Sequence, residues 1–308
     1  MSEGKGAISI DHVTRRFGPT IAVDDLSIEI AQREIFAVVG PDGAGKTTLM
    51  RLICGALEID SGSLSVDGVS VIEQTSRVQS AIGYMPQRFS LYPDLSVLEN
   101  LRFYGDIFGV SRREFVPRAT ALLEEFAIAQ FTTRLAEDLS GGMKQKLALA
   151  CTLIHSPSTI LLDEPTAGVD PLSRREFWRI LYGINHRGTT IFVSTPYMDE
   201  AERANRVAFL SLGKIVACGT PDQLKQNLRG DVVEIACAQR GRARSALRGD
   251  PLVRSVEIFG ETLHALVPSS SQSIPEMAKR LEDAGISDAK LRDIPPSLED
   301  AFVAGLAS

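Results

Sequence analysis

The stretch GPDGAGKT, Gly40 to Thr47, sets three glycines, a lysine and a hydroxyl at the spacing GxxxxGK[ST]. Glycines let successive backbone N–H groups curl around phosphate oxygens, and a helix opening at the lysine adds the positive end of its dipole. Lys46 is then placed to neutralise the β- and γ-phosphates of a nucleotide, and the Thr47 hydroxyl to ligate Mg²⁺. A glycine-rich turn that binds nothing has the same composition, so the flanks matter. EIFAVVG, Glu34 to Gly40, is a continuous apolar run of the buried-strand kind, and KTTLMRLICGAL has helical spacing. Strand, loop and helix are the setting this chemistry needs.

TILLDEP, Thr159 to Pro165, ends a second buried strand in two carboxylates, which an apolar strand tolerates only at its tip. Asp163 would orient Mg²⁺ through its water shell, and Glu164 would polarise a water attacking the γ-phosphate. A solvated strand end followed by a turn is the plainer reading. In LSGGMKQK, Leu139 to Lys146, Ser140 is a helix cap, and Gly141 and Gly142 let the backbone approach an anion.

LSGG followed by a basic, glutamine-containing helix resembles the signature motif of ABC ATPases, and the likeness runs from about Ile8 to Leu228. It implies an ATP sandwich in which the motif, Ser140, Gly141 and Gly142, covers the nucleotide of a second cassette. It also implies that Phe17, in RRFG, stacks on adenine, and that Gln87, in YMPQ, contacts Mg²⁺ and the attacking water. The remaining loop residues, Pro41, Asp42, Gly43, Ala44, Gly45 and Thr48, would line the ATP site with Gly40, Lys46 and Thr47. AGVD, Ala167 to Asp170, matches the loop that crosses to the partner. Phe17 has a competing reading as a core aromatic.

These residues need a scaffold. Ile8 to Ile30 holds short apolar runs broken by Gly18-Pro19 and Asp24-Asp25, as antiparallel strands at a sheet margin do. The pattern turns helical from Phe89 to about Leu135, predicting an inserted helical subdomain at about 88–138. A helix at Ser140, strand TILLD, a helix near Ser173 to Asn185, strand TTIFVST, a helix around Met198 to Ala204 and the hairpin VAFLSLGKIVACG follow. Alternating strands and helices imply an α/β fold with a mostly parallel sheet, the P-loop NTPase ABC cassette of residues 1–228. Beyond the change of texture near Leu228, residues 229–308 read as a small C-terminal α+β domain, with capping boxes expected at Ser273/Glu276 and Ser297/Asp300.

Composition narrows the class. A net charge of −6 over 308 residues argues against nucleic acid as a partner. Cys54, Cys151, Cys218 and Cys237 are far apart and read as core filler in a reducing compartment. No run approaches the ~18–20 apolar residues of a membrane helix. The expectation is a cytoplasmic protein attached to the inner face of the membrane through a permease in a separate chain. Only about ninety residues separate Lys46 from Ser140, room for one compact subdomain, which argues against repair-type relatives with long coiled-coil insertions. QRFSLYPDLSVLENLRFYG resembles the region that receives a permease helix, with Phe89, Tyr92, Phe103 and Tyr104 either a docking surface or core. The tail PPSLEDAFVAGL is similar to that of daunorubicin-exporter ATPases, which implies efflux through an ABC-2 type permease. A regulatory nucleotide-binding protein with little turnover and a soluble non-transport ABC ATPase are the alternatives.

Two positions depart from the family. Asp42 stands where relatives usually have asparagine, a carboxylate that must point away from triphosphate. In STPYMDEAE, Pro196 replaces the switch histidine, and proline has neither an imidazole nor an N–H to donate. His12, His155, His186 and His264 lie outside the motif and read as surface histidines. Losing one such donor implies hydrolysis lower by about 10²- to 10³-fold, a weakened site beside a stronger partner, so a heterodimer is favoured over a homodimer. Restoring histidine, Pro196→His, is expected to raise ATP turnover; an unchanged or lower rate rejects this reading.

Overall fold

The structure, a computed structural model, describes residues 7–88 and 91–306; Phe89 lies outside them. The chain divides into two compact units, Met1–Ile215 and Val216–Ser308. In the first unit the order is β1 (Ile8–Phe17), β2 (Thr20–Ile30), β3 (Ile35–Val39), α1 (Lys46–Ile53), β4 (Ser61–Val66), β5 (Val69–Ser70), α2 (Thr75–Ala81) and β6 (Ile82–Met85). Next come α3 (Val97–Ile107), α4 (Arg112–Glu125), α5 (Gly141–Leu153), β7 (Thr159–Asp163), α6 (Pro171–His186), β8 (Thr190–Thr195), α7 (Met198–Ala201), β9 (Arg206–Ser211) and β10 (Lys214–Gly219). The division between units falls inside β10, upstream of residue 228.

Two sheets build this unit. The core sheet has the order β10-β9-β3-β8-β7-β6, and β9, β3, β8, β7 and β6 pair parallel. Every residue of β3, β7 and β8 is buried, which is why IFAVV of β3 and the centres ILL of β7 and IFV of β8 are continuously apolar instead of alternating. The margin is an antiparallel sheet, β2-β1-β4-β5. Phe36 and Phe192 stack with centroids 5.5 Å apart on neighbouring strands, and Leu49, Met50, Leu161 and Ala208 join the same core. The α/β architecture with a parallel core and an antiparallel margin is the one expected from sequence. The stretch β4 to β6 had no sequence assignment; its strands are short and polar on their exposed face, so periodicity is weak there.

The insert is helical. Ser96 with Glu99, and Ser111 with Glu114, form capping boxes that start α3 and α4, satisfying amides with no intrahelical partner. Gly105 lets α3 pack close to the Phe115 ring, 3.1 Å from where a Cβ would stand. His155 is not the surface histidine expected. It is half-buried, stacks on Phe108 at 3.8 Å and donates from Nε2 to the Ile82 carbonyl at 3.1 Å.

The second unit runs α8 (Pro221–Gln226), β11 (Asp231–Ala236), α9 (Arg240–Leu247), β12 (Ser255–Phe259), β13 (Thr262–Val267), α10 (Ser270–Asp283), β14 (Lys290–Ile294) and α11 (Leu298–Leu306). Its antiparallel sheet, β12-β13-β11-β14, with α9 and α10 between strands, has split βαββαβ topology. Val233, Ile235, Leu263 and Ala265 face Leu247, Met277 and Leu281 in one core. The sequence reading missed β14, because KLRDI is mostly polar and lies at the sheet edge.

Two expectations separate here. The Ser297/Asp300 capping box forms, with Ser297 N donating to Asp300 Oδ2 at 2.8 Å and Asp300 N donating to Ser297 Oγ at 3.1 Å. The Ser273/Glu276 box does not: Ser273 is buried inside α10, which starts at Ser270, where the amide donates to Asp231 Oδ2 at 2.7 Å. The Ser273/Glu276 spacing put the start of the helix at Ile274, but a partner on β11 starts it one turn earlier. His264 is also more than a surface group. It stacks on Phe259 at 4.3 Å, with Nδ1 2.8 Å from Asp300 Oδ1. Among the described residues no helix is long and apolar enough to cross a membrane.

Burial holds the His155 pKa below its ordinary 6.5. The folded state therefore binds fewer protons than the unfolded state just below that value, so stability falls as pH drops through it. H155F keeps the ring stack without a proton to gain. Between about pH 7.5 and about pH 5.5, its Tm relative to the natural protein is expected to move in the variant's favour. A pH-independent difference rejects the assignment.

Candidate active site

The loop between β3 and α1 is shaped by contacts that forbid side chains. A Cβ on Gly40 would stand 2.2 Å from the Leu210 carbonyl, and one on Gly45 2.2 Å from that of Ala22. Gly43 faces open space, and its φ of 79° is what calls for glycine. Ala44 is buried and anchors the loop, accepting from the Gly213 amide at 3.0 Å. Pro41 and Asp42 are exposed at the loop's tip, so the Asp42 carboxylate stands in water.

Lys46 begins α1 and is only 5% exposed. Its Nζ donates to the carbonyls of Gly40 at 2.8 Å and Pro41 at 3.2 Å, and lies 3.5 Å from Glu164 Oε1. Glu164 Oε2 accepts from Gln87 Nε2 at 2.8 Å. Three residues chosen from separate segments of sequence thus meet at one carboxylate. Parallel pairing explains why: β3 and β7 flank β8 in register, so the loops after all three strands leave the sheet at the same edge.

Asp163 ends β7, fully buried. Its Oδ1 accepts from Ser194 Oγ at 2.6 Å, while Oδ2 has no hydrogen-bond partner among the described residues. An orphaned carboxylate oxygen costs free energy unless a cation or water meets it, so the donor set of Asp163, Thr47 and Gln87 fits Mg²⁺. Tyr84, on β6, has its hydroxyl pushed up to about 12, first by burial and then by the Asp163 charge. Ser194 Oγ also accepts from the Glu164 amide at 3.0 Å. Glu164 itself has φ of 48°, a left-handed conformation rare outside glycine. No sequence pattern pointed to Ser194. Its only signal was a hydroxyl beside Thr195 at the end of β8, after the apolar run Ile191 to Val193.

Other predicted residues stand around this centre. Phe17 ends β1 and is 45% exposed, so it is not a core aromatic; the Arg15 guanidinium lies 5.0 Å from its ring. Ser140 caps α5, accepting from Met143 N at 3.4 Å. Gly141 faces open space, whereas a Cβ on Gly142 would meet Ser173 Oγ at 2.8 Å. Thr47 and Thr48 are half-buried in the first turn of α1. Asp170, expected in the crossing loop, caps α6 by accepting from Leu172 N at 3.1 Å and Ser173 N at 3.0 Å. Pro196 is exposed just beyond β8.

The same elements recur in known proteins. The ABC transporter family pattern matches residues 23–167. The daunorubicin resistance ATP-binding protein DrrA3 of Streptomyces coeruleorubidus is 32% identical over 96% of this chain and 95% of its own length. The chain belongs to the ABC transporter ATP-binding family. The probable multidrug ABC transporter ATP-binding protein YbhF of Escherichia coli K12 is 40% identical over 96% of the chain, which spans about half (51%) of YbhF. A dimeric ATP-binding cassette, MJ0796, in a post-hydrolysis state bound to ADP and Pi, is 25% identical with a TM-score of 0.63, over 69% of this chain and 98% of that one.

Within this ABC cassette Ser194 joins the Asp163 side chain to the Glu164 backbone. Ser194→Ala would leave both oxygens of Asp163 without donors, and unfolding in urea is expected to show a loss of about 1–3 kcal/mol. A loss near zero would mean that water replaces the hydroxyl freely.

Proposed function

We propose that this chain binds ATP with Mg²⁺ and hydrolyses it to power export through a membrane permease carried on a separate chain. The observation that carries the reading is the meeting of Lys46, Gln87 and Glu164 beside the orphaned oxygen of Asp163. The glycine loop and the N-terminus of α1 present backbone N–H groups to the phosphates, and Phe17 offers an exposed ring for adenine. Lys46 exchanges its two loop carbonyls for phosphate oxygens, so its charge acts on the ligand only when one is present. Glu164 accepts a hydrogen bond from the attacking water and polarises it, and Gln87 holds the carboxylate in place. Mg²⁺, held by Thr47, Gln87 and Asp163, supplies charge neutralisation at the phosphates.

Ser140 caps α5 and shares no hydrogen bond with this centre among the described residues, and the dimeric state of the MJ0796 relative supports the use of Ser140, Gly141 and Gly142 against the nucleotide of a second cassette. ATP then holds two cassettes together and hydrolysis releases them, a population shift that moves the permease. The likeness to DrrA3 and YbhF supports drug or antibiotic efflux as the work done, with the chain at the cytoplasmic face of the membrane. Pro196 favours a second reading, a weakly hydrolysing cassette paired with a stronger one.

Lys46→Ala is expected to weaken ATP binding by about 10- to 100-fold, the worth of a charge-assisted contact. Glu164→Gln is expected to keep binding and lower turnover by at least about 100-fold. Binding by a fluorescent ATP analogue and phosphate release by the purified full chain measure the two. Turnover that is absent in the natural chain, or indifferent to Glu164, leaves a nucleotide-binding regulator instead.

A further inference from the structure

Glu200 lies on α7 and is fully buried, yet no packing role requires a carboxyl group there. Its Oε1 accepts from Thr166 Oγ1, and its Oε2 accepts from Thr195 Oγ1 at 2.6 Å. Thr166 and Thr195 are buried as well. Arg174, on α6, brings Nε to 3.2 Å from Oε1, an ion-pair distance without hydrogen-bond alignment, and lays its guanidinium 3.9 Å from the Tyr197 ring centroid. Burying a carboxyl group is costly unless both oxygens are met, and here both are.

The two threonines belong to different segments, Thr166 in the loop after β7 and Thr195 at the end of β8. Thr166 follows Glu164 by two residues, and the turn between them is closed by the Ala167 amide donating to the Glu164 carbonyl at 3.1 Å. Thr195 precedes Pro196, and its hydroxyl also accepts from the Tyr197 amide at 3.1 Å. Pro196 has no N–H, so the turn beyond β8 is held through its neighbours. Glu200 therefore bridges the loop carrying Glu164 to the loop carrying Pro196. Glu164 needs such support: its backbone sits at φ of 48°, a strained conformation that persists only where surroundings over-determine it. Ser194 fixes its amide side. Glu200 fixes the other.

We propose that Glu200 is a positioning residue for hydrolysis: through Thr166 and Thr195 it sets where the Glu164 carboxylate meets Gln87 and Lys46. This rests on the reading of Glu164 as the residue that polarises water. A displacement of about 1 Å at a reacting group can cost about 100-fold in rate without changing ground-state binding.

The test uses the purified full chain and compares E164Q, E200Q, T195V and T195S by steady-state phosphate release over a range of MgATP. E200Q keeps the shape of the side chain but cannot accept at both positions. It is expected to lower kcat by about 10- to 100-fold with KM within about threefold. T195V removes one link and is expected to lose kcat in the same way, and T195S, which keeps the hydroxyl, to recover most of that loss. Should E200Q fail to fold, the T195V and T195S pair reads the same bridge. Unchanged kcat in folded E200Q, or equal rates for T195V and T195S, overturns the positioning role while E164Q remains impaired. An E164Q enzyme as fast as the natural chain overturns the reading of Glu164 and the proposal with it.

Discussion

A lysine ammonium with 5% exposure is an awkward thing to bury, and the site is organised around it. Lys46 Nζ is met by the carbonyls of Gly40 and Pro41 and by Glu164, so one cation ties the loop after β3 to the loop after β7. Each contact needs the others. The carbonyls turn inward because Gly40 and Gly45 allow the backbone against Leu210 and Ala22, and Glu164 reaches Lys46 because Ser194 holds its amide. The buried parallel strands supply rigidity, since apolar runs packed on both faces leave the loops at one edge little freedom to drift.

From that edge outward, polarity is graded. Asp163 keeps one oxygen without a donor at the end of a buried strand, a cost that makes sense where a cation is to be met. Glu164 is partly accessible, as its proposed part in polarising a water requires. Glu200, as fully buried as Asp163, has both oxygens satisfied by hydroxyls. Three carboxyl groups within a short stretch of fold thus differ in what surrounds them, and the difference in partners assigns them different work. Pro196 sits at the margin of this arrangement, exposed and without a donor, flanked by Thr195 and Tyr197, whose contacts set the turn.

Much of this was legible in the amino-acid order, for local reasons. The phosphate loop, the two carboxylates after TILLD and the LSGG cap announce themselves because each depends on residue types within one turn or strand end. The apolar runs of β3 and β7 marked buried strands, the alternation of strands with helices implied a mostly parallel sheet, and the Ser297/Asp300 box was readable from spacing alone. Position along the chain also placed Pro196 beside this chemistry. Gln87, Lys46 and Glu164 were each selected from sequence by motif.

Tertiary structure decided what depends on neighbours distant in sequence. That α10 starts at Ser270 and not after Ser273 follows from Asp231, 39 residues away. His155 and His264 became stacked, partnered groups because Phe108 and Ile82, or Phe259 and Asp300, come to them only in the fold. Ser194, Thr195 and Glu200 lie in STPYMDEAE, where only Pro196 stood out, and Thr166 follows the carboxylate pair without a signal of its own; a hydroxyl in a strand and a carboxyl in a short helix are common in any chain. Their joining of two loops is a property of strand register, β7 against β8, with Asp163 opposite Ser194. A sequence states which groups are available, and only the packing of parallel strands determines which of them share a proton, a charge or a turn.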